Sequence, residues 1–473
     1  MLKVLLLDGS NPNTYDEACK IAETISDIPA TSILLSDKLA SKSSQHIEIV
    51  NIYDVNQRKS LRELQHSYDF SIYKAIATER AWFDYTLMSN DQKYSNLKLN
   101  RILELLGPYA NALDFLIRER VDIVLDSMAD NFKTSLAYKI AEFYKKRIVV
   151  SNYYLYWWTS GVIYTDQADQ TSSLVRKKYD FYYNNQKKIN VEKLTSILSG
   201  KRASFIPVDA LKFPFKLRLK QIINRQKSYD PLSVRHWFTR TFKSKLQNQL
   251  LKLLVTRYKE LPNNEKFILF PLHVVPEAHL LGGGNAEFSD QISLIKSISM
   301  NLPIGVYLYV KEHPEQQFGY GINLNFYNQL KSLPNTKVLH SGVSAEQVLK
   351  HPNCLAVAVI NSTLALQAVW NRKPVFLFGN SIFSMAHCFI RPRTYGDLFD
   401  QIKEILLGNY KPNEKSILAL FQAIDSSIVS ADGVDFSDLS TLSEYQAAGN
   451  LVIKALIKRS NHFQNIHEIE NIS

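Results

Sequence analysis

Three short stretches gather the side chains that could do chemistry. "FPLHVVPEAHLLGGG" (270–284) carries His273, Glu277, His279 and three consecutive glycines. "YLYVKEHP" (307–314) carries Lys311 and His313, and "INSTLALQAVWNRKPVFLFG" (360–379) carries Asn361, Ser362, Thr363 and Gln367. A carboxylate beside an imidazole can act as general base or nucleophile, so Glu277 is the candidate catalytic carboxylate and His273 the group that orients it. Lys311 and His313 can neutralise or donate to a phosphate. Ser362 and Thr363 open a helix, where hydroxyls and unpaired backbone N–H groups favour an anion. Read singly, each has a blander role: a Ser N-cap, a histidine incidental to a strand end, a surface loop. His273 and His279 imitate a metal pair, but no HExxH or third ligand accompanies them, so no metal is expected.

These residues share one grammar. Each stretch is an apolar, β-branched run that passes into turn residues and then into a helical pattern, as a parallel strand feeds a helix. Polar groups then collect at the carboxyl ends of neighbouring strands, where open α/β sheets bind ligands. From 263 to 415 the alternation is regular: strands "KFILF", "GVYLYV", "TKVLH", "LAVAVI" and "PVFLF", with helices after each, predict a parallel sheet covered on both faces. The first part of the chain reads likewise as α/β, from "KVLLLD" through a helix near 15–25, "TSILLS", "HIEIVNIY", a helical middle and "VDIVLDSMADN" to "RIVVSN". Asp126 and Asp130 end a strand there, either facing an interdomain cleft or capping the next helix. The aromatic run "YYLYWW" (153–158) suits core or interface better than sugar stacking.

At 473 residues, with 45% hydrophobic and 21% charged residues, the chain suits two or three soluble domains. The expected division is 1–190, a linker or insertion over 191–262, 263–415, and a helical segment with a polar tail over 416–473. No apolar run approaches the ~20 residues of a membrane span, the first residues do not read as a signal peptide, and three scattered cysteines form no CxxC pair. A cytoplasmic setting fits. The net charge of +11 is local: residues 212–260 hold 13 Lys and Arg against Asp230 and Glu260 alone, and the rest balances. Interleaved with Phe213, Phe215, Trp237, Phe238 and Phe242, this segment is either a peripheral contact with an anionic membrane or a solvated linker. Nucleic acid is disfavoured because no recognition motif accompanies the charge.

The block from Phe270 to Gly379 resembles the capsule polysaccharide biosynthesis family, bacterial glycosyltransferases that include the retaining transferases of Kdo, an acidic sugar carried as its CMP derivative. The resemblance rests on Pro271 through Glu277, on Lys311, His313 and Pro314, on Asn361 to Thr363, on Gln367 with Ala368, and on Lys373 through Gly379. It implies a GT-B fold, two Rossmann-like domains with the nucleotide sugar on the C-terminal one and the acceptor on the other. By this resemblance Lys311, His313, Asn361, Ser362 and Thr363 bind the donor, and Glu277 stands where those transferases carry a catalytic aspartate. Gln367 replaces the family's Glu, keeping hydrogen-bonding capacity toward a ribose and losing the charge. The expected activity is transfer of a sugar from a nucleotide sugar, CMP-Kdo-like, to a surface polysaccharide or glycolipid without cofactor or metal. Two alternatives stay open: a CDP-polyol phosphotransferase of teichoic acid type, and a weakly catalytic carbohydrate-binding or assembly protein on the same fold.

Overall fold

The computed structural model describes residues 2–6, 30–36, 47–55, 59–77, 92–126, 132–152, 163–165, 171–199, 255–261, 264–273, 290–313, 324–428 and 454. Two separate α/β sheets organise them.

The first sheet holds β1 (Leu2–Leu6), β2 (Ala30–Ser36), β3 (Ile47–Asn51), β4 (Ile123–Asp126), β5 (Arg147–Asn152) and β6 (Ile163–Thr165), in the order β3-β2-β1-β4-β5-β6. All pairs are parallel except the edge pair β5–β6. Its helices are α1 (Leu61–Tyr68), α2 (Ile72–Ala77), α3 (Gln92–Glu119) and α4 (Phe132–Phe143). Much of the helical middle expected in this half is the single helix α3, which continues through Pro108. Leu106, Leu113 and Leu116 of α3 pack with Tyr138 of α4 and with Leu5, Ile33 and Val124 of the sheet. Asp114, fully buried in α3, accepts from Tyr68 and from Tyr144 Oη at 2.9 Å and pairs with Lys59 and Arg118 at 3.3 and 3.4 Å. These contacts tie α1, α3 and the end of α4 together.

Helices α5 (Ser173–Asn184) and α6 (Val191–Ser199) flank the boundary expected at 190. Val175, Tyr179, Leu194 and Leu198 lie in the buried cluster that covers one face of the second sheet.

The second sheet holds β7 (Lys266–Pro271), β8 (Val306–Lys311), β9 (Thr336–Leu339), β10 (Cys354–Val359) and β11 (Val375–Leu377), all parallel, in the order β11-β10-β7-β8-β9. Between them run α7 (Gln291–Met300), α8 (Leu324–Lys331), α9 (Ala345–Lys350) and α10 (Leu364–Trp370), followed by α11 (Tyr395–Leu406) and α12 (Glu414–Ser427). Side chains alternate across a strand. In β7, Phe267 and Leu269 therefore enter one core, and Ile268 and Phe270 enter the other with Ile295 and Ile298 of α7. Covering both faces explains the unbroken apolar run, and each such side chain is worth roughly 1.5–3 kcal/mol. In β10 the alternation breaks between Cys354 and Ala356, where the register with β7 also shifts. α12 packs on α5 through a bond between Tyr179 Oη and Ser416 Oγ at 2.8 Å, and the Lys193–Asp425 pair at 2.7 Å ties it to α6.

The end of the expected linker belongs to this second unit. Tyr258 bridges to Leu339, donating its N–H to Val338 at 2.8 Å and accepting from His340 N at 3.0 Å, so residues near 258 extend the sheet beyond β9. Residues 200–254, which hold most of the basic segment, lie outside the described residues, as do the expected helix near 15–25 and the aromatic run 153–158.

Candidate functional site

Both sheets have the doubly wound order in which the chain starts in the middle, builds outward, and returns to the other side of the first strand. Where the order reverses, the crevice outside the carboxyl ends is the ligand site of such folds. In the second sheet that point lies between β7 and β10. His273 stands two residues past β7, Asn361 two past β10, and His313 two past β8. The pairings Val357↔Leu269 and Pro271↔Lys311 put the three strand ends level. Asn361, His273 and His313 thus form a row across three adjacent strands, with about 4.8 Å between strands.

His273 is buried, and its main chain is gripped by one side chain. Its N–H donates to Gln291 Oε1 at 2.8 Å, and Gln291 Nε2 donates back to its carbonyl at 3.1 Å. Gln291 opens α7 and is only 2% exposed. A buried amide is tolerated when both of its ends are bonded. The helix after β7 thereby fixes the strand's exit, a role that no local pattern in the sequence announces.

The "KEH" run after β8 distributes three neighbours to three jobs. Tyr309 lies in one core and Val310 in the other. Lys311, expected as a phosphate ligand, is buried; its ammonium donates to the carbonyls of Glu312 at 3.1 Å and Ser341 at 3.3 Å. Burial lowers its pKa, with the Glu312 charge acting the other way. Glu312 is buried too and accepts from Arg257 Nε at 2.7 Å, from the Tyr327 hydroxyl and from Ser341 N at 3.3 Å. Burial opposes the Arg257 charge, but Glu312 and Tyr327 outweigh it and the guanidinium pKa is raised; burial raises that of Tyr327. Ser341, just past β9, is therefore held by its N–H and by its carbonyl from two consecutive residues. His313 follows them, half-buried at the strand edge.

Asn361 is buried, whereas Ser362 and Thr363 are half-buried. Ser362 Oγ accepts from Leu364 N at 3.3 Å, and Thr363, at the N-cap of α10, makes no capping bond through its side chain. Of the two roles open from sequence, Ser362 takes part in the helix start, while the Thr363 side chain makes no capping bond. Gln367 is half-buried one turn into α10. The backbone past β11 closes on this turn, with Phe378 N donating to Val359 at 3.0 Å and Gly379 N to Ile360 at 2.8 Å.

Glu277, His279, the three glycines and Pro314 lie outside the described residues, so the expected pairing of Glu277 with His273 has no geometry here. Asp126 ends β4 beside Val150, at the first sheet's own reversal point between β1 and β4; its side chain and all of Asp130 lie outside the described residues. Sequence reading passed over Gln291, Glu312 and Arg257. Only Glu312 carried a signal, its place inside "KEHP". Among the described residues no group of three His, Cys, Asp or Glu is placed to hold a metal ion, and no helix is long and apolar enough to cross a membrane.

Residues 216–387, rather more than a third of the chain, match the family model described as capsule polysaccharide biosynthesis protein. No curated protein matches in sequence. Among solved structures, the chain is similar to the β-Kdo 2,4 transferase KpsC of Thermosulfurimonas dismutans at 12% identity and a TM-score of 0.31, covering 64% of this chain and 79% of that one. A glycosyltransferase from Rickettsia africae has 10% identity and a TM-score of 0.29, covering 96% and 98%. Anabaena HepE in complex with UDP has 13% identity and a TM-score of 0.28, covering 98% and 100%. TM-scores of this size mark distant likenesses only.

Proposed function

With the capsule polysaccharide biosynthesis family matched over residues 216–387 as premise, we propose that this protein is a GT-B glycosyltransferase that moves a sugar from a nucleotide-sugar donor to a surface polysaccharide or glycolipid. The observation that carries the proposal is the level row of Asn361, His273 and His313 around the reversal point of the second sheet.

In this reading the donor lies across that edge. The bond between the anomeric carbon and the phosphate oxygen breaks with its electron pair passing to the phosphate; overall, the acceptor hydroxyl oxygen becomes bonded to the anomeric carbon and gives up its proton to a base. His313, Thr363 and the backbone around Ser362 stabilise the charge that develops there. Gln367 faces the ribose. Lys311 and Glu312 act indirectly, by fixing the β8 and β9 exits on which His313 sits. Glu277 is the proposed carboxylate at the anomeric carbon or acceptor hydroxyl, and Asp126 and Asp130 belong to the acceptor side. The reaction uses no metal, because hydrogen-bond donors at the sheet edge carry the phosphate charge. The donor proposed is CMP-linked and acidic, and a peripheral contact of the basic segment with the inner membrane face would bring the enzyme to a lipid-linked acceptor.

The test is a thermal-shift series with CMP, CDP, UDP, GDP and dTDP on the wild type and on His313→Ala. A nucleotide at ~100 times its Kd adds roughly 2.7 kcal/mol. A shift with CMP that the variant loses supports the reading as stated. A shift with UDP or GDP alone replaces the donor, and no shift with any of the five removes the donor site.

A further inference from the structure

The far end of the second unit carries a surface that the donor edge does not use. α11, α7 and α8 lie side by side over one face of the sheet, with α7 touching both of the others. α7 leads into β8 and α8 into β9, so their last turns lie at the amino ends of the strands. α11 starts past the carboxyl end of β11 and runs back toward that same end. Three aliphatic side chains stand out there. Met300 ends α7 and is 73% exposed, Leu407 follows α11 and is 62% exposed, and Ile304 is fully exposed. Among the described residues no other large aliphatic side chain is as open to solvent. Ile304 sits at the tip of a turn closed by Val306 N donating to Pro303 at 3.1 Å, and Gly305, at φ +86°, supplies the left-handed residue that such a turn needs. Residues at such tips are usually polar.

The charges around these side chains have one prevailing sign. Lys403 is exposed one turn before Leu407, Lys331 is exposed at the end of α8, and Lys266 is exposed at the start of β7. Lys296, one turn before Met300, is half-buried and donates to Gln329 Oε1 at 2.8 Å. No Asp or Glu occurs from 291 to 311 or from 324 to 345. The acid nearest Leu407 is Glu404, which accepts from Asn409 Nδ2 at 2.7 Å. A lysine in a last helical turn also answers the helix dipole, so the cations alone mark no partner. The dipole gives no reason for an exposed isoleucine at a turn tip or an exposed methionine at a helix end, and aliphatic points set among lysines are what an anionic bilayer surface accepts.

We propose that this amino-end face docks on a bilayer surface containing anionic lipid. Ile304, Met300 and Leu407 enter the headgroup boundary, and Lys266, Lys331 and Lys403 meet lipid phosphates. A second copy of the chain is the poorer occupant, because a two-fold contact sets the same patch against itself and brings lysines toward lysines. β7 is six residues long, so the donor edge stands roughly 20 Å from this face and stays open while the face is bound. The inference does not depend on the donor reading, and it is separate from any contact made by the basic segment.

The test is cosedimentation of the full chain with vesicles of phosphatidylcholine alone and of phosphatidylcholine mixed with phosphatidylglycerol, at low and high salt. The wild type should bind the anionic vesicles more tightly, and salt should weaken that binding. Met300→Asp with Ile304→Asp should lower the partition coefficient by about tenfold or more, since it replaces the inserted groups with repelled ones. Lys331→Glu with Lys403→Glu should lower it by a similar factor on anionic vesicles and leave phosphatidylcholine binding unchanged. Should the double aspartate variant fail to fold, Ile304→Ser with Leu407→Ser takes its place, and a loss of about threefold or more supports the proposal. Binding of the face variants within about twofold of wild type overturns it and moves the contact elsewhere, the basic segment included. Failure of the wild type to bind anionic vesicles also overturns it. So does a dimer in light scattering that Ile304→Asp dissociates while vesicle binding stays unchanged, which assigns the face to a second copy. Nucleotide thermal shifts kept in the face variants show that the donor site stands whichever way the vesicles decide.

Discussion

Arg257 and Glu312 form an ion pair 2.7 Å long with side chains only 16% and 5% exposed, one residue from His313. The Arg257 guanidinium also lies 5.5 Å from the centre of the Tyr327 ring. A pair this deep adds little relative to apolar neighbours but is costly to break from one side. Glu312→Ala should therefore lower the unfolding free energy by about 3–5 kcal/mol, since it leaves Arg257 buried without its carboxylate. Adding Arg257→Met should recover a large share of that loss. Urea denaturation of the two single variants and the double variant checks this, and a double variant as unstable as the sum of the singles would show that the two do not interact.

His313 is half-buried and lies just beyond the described end of the strand, so its removal should spare the fold. His313→Ala is expected to melt within a degree or two of the wild type while losing about 10²- to 10³-fold in kcat, the usual effect of removing one donor to developing charge. A variant with kcat within threefold of wild type would remove His313 from the donor phosphate.

Two capping boxes set part of the acid limit of stability. The Asp397 carboxylate accepts from Thr394 N at 3.0 Å and from Thr394 Oγ1 at 2.9 Å, and Glu63 accepts from Ser60 N and Oγ at 2.6 and 2.7 Å. These bonds hold both carboxylates below their usual pKa values of 3.8 and 4.5, for Asp397 mainly through the Thr394 main chain and for Glu63 mainly through the Ser60 hydroxyl. A lowered folded pKa gives stability that is fully present above the unfolded value and is lost as pH falls through the folded one. Asp397→Asn and Glu63→Gln should each flatten the fall in melting temperature below about pH 4.5 and leave a smaller, pH-independent loss above it. Melting curves from pH 3 to 7 report this directly.

Cys354 and Cys388 are buried, and burial pushes both thiols up to about 12. At pH 8 roughly one in 10⁴ of either would be thiolate, the reactive form. Iodoacetamide should leave both unmodified in the native protein and label both in guanidinium chloride, as peptide mass mapping would show. Native labelling at either position would mean that its core opens on the timescale of the reaction.

The sequence by itself determined the strands and their direction of travel. Apolar runs such as "KFILF" and "LAVAV" are unbroken because both of their faces are covered, and the turn-then-helix pattern after each places polar groups at the carboxyl ends. From this the row of His273, His313 and Asn361 was legible, although its members are 88 residues apart at the extremes. What the tertiary structure alone decided is which side chains the edge can use. Lys311 reads as a phosphate ligand, but its ammonium is bonded to the Ser341 carbonyl, a residue brought near only by β8–β9 pairing. Arg257 reads as one more cation of a basic segment until the sheet edge sets it against Glu312, 55 positions away. Arg391 belongs to no motif, and only the bridge between Ile390 and Phe376 carries its guanidinium to Gly379 and Asn380 at the exit of β11. Local periodicity is a property of neighbouring residues and can be read along the chain. The partner of a charged side chain is set by register between distant strands, which the sequence does not spell out.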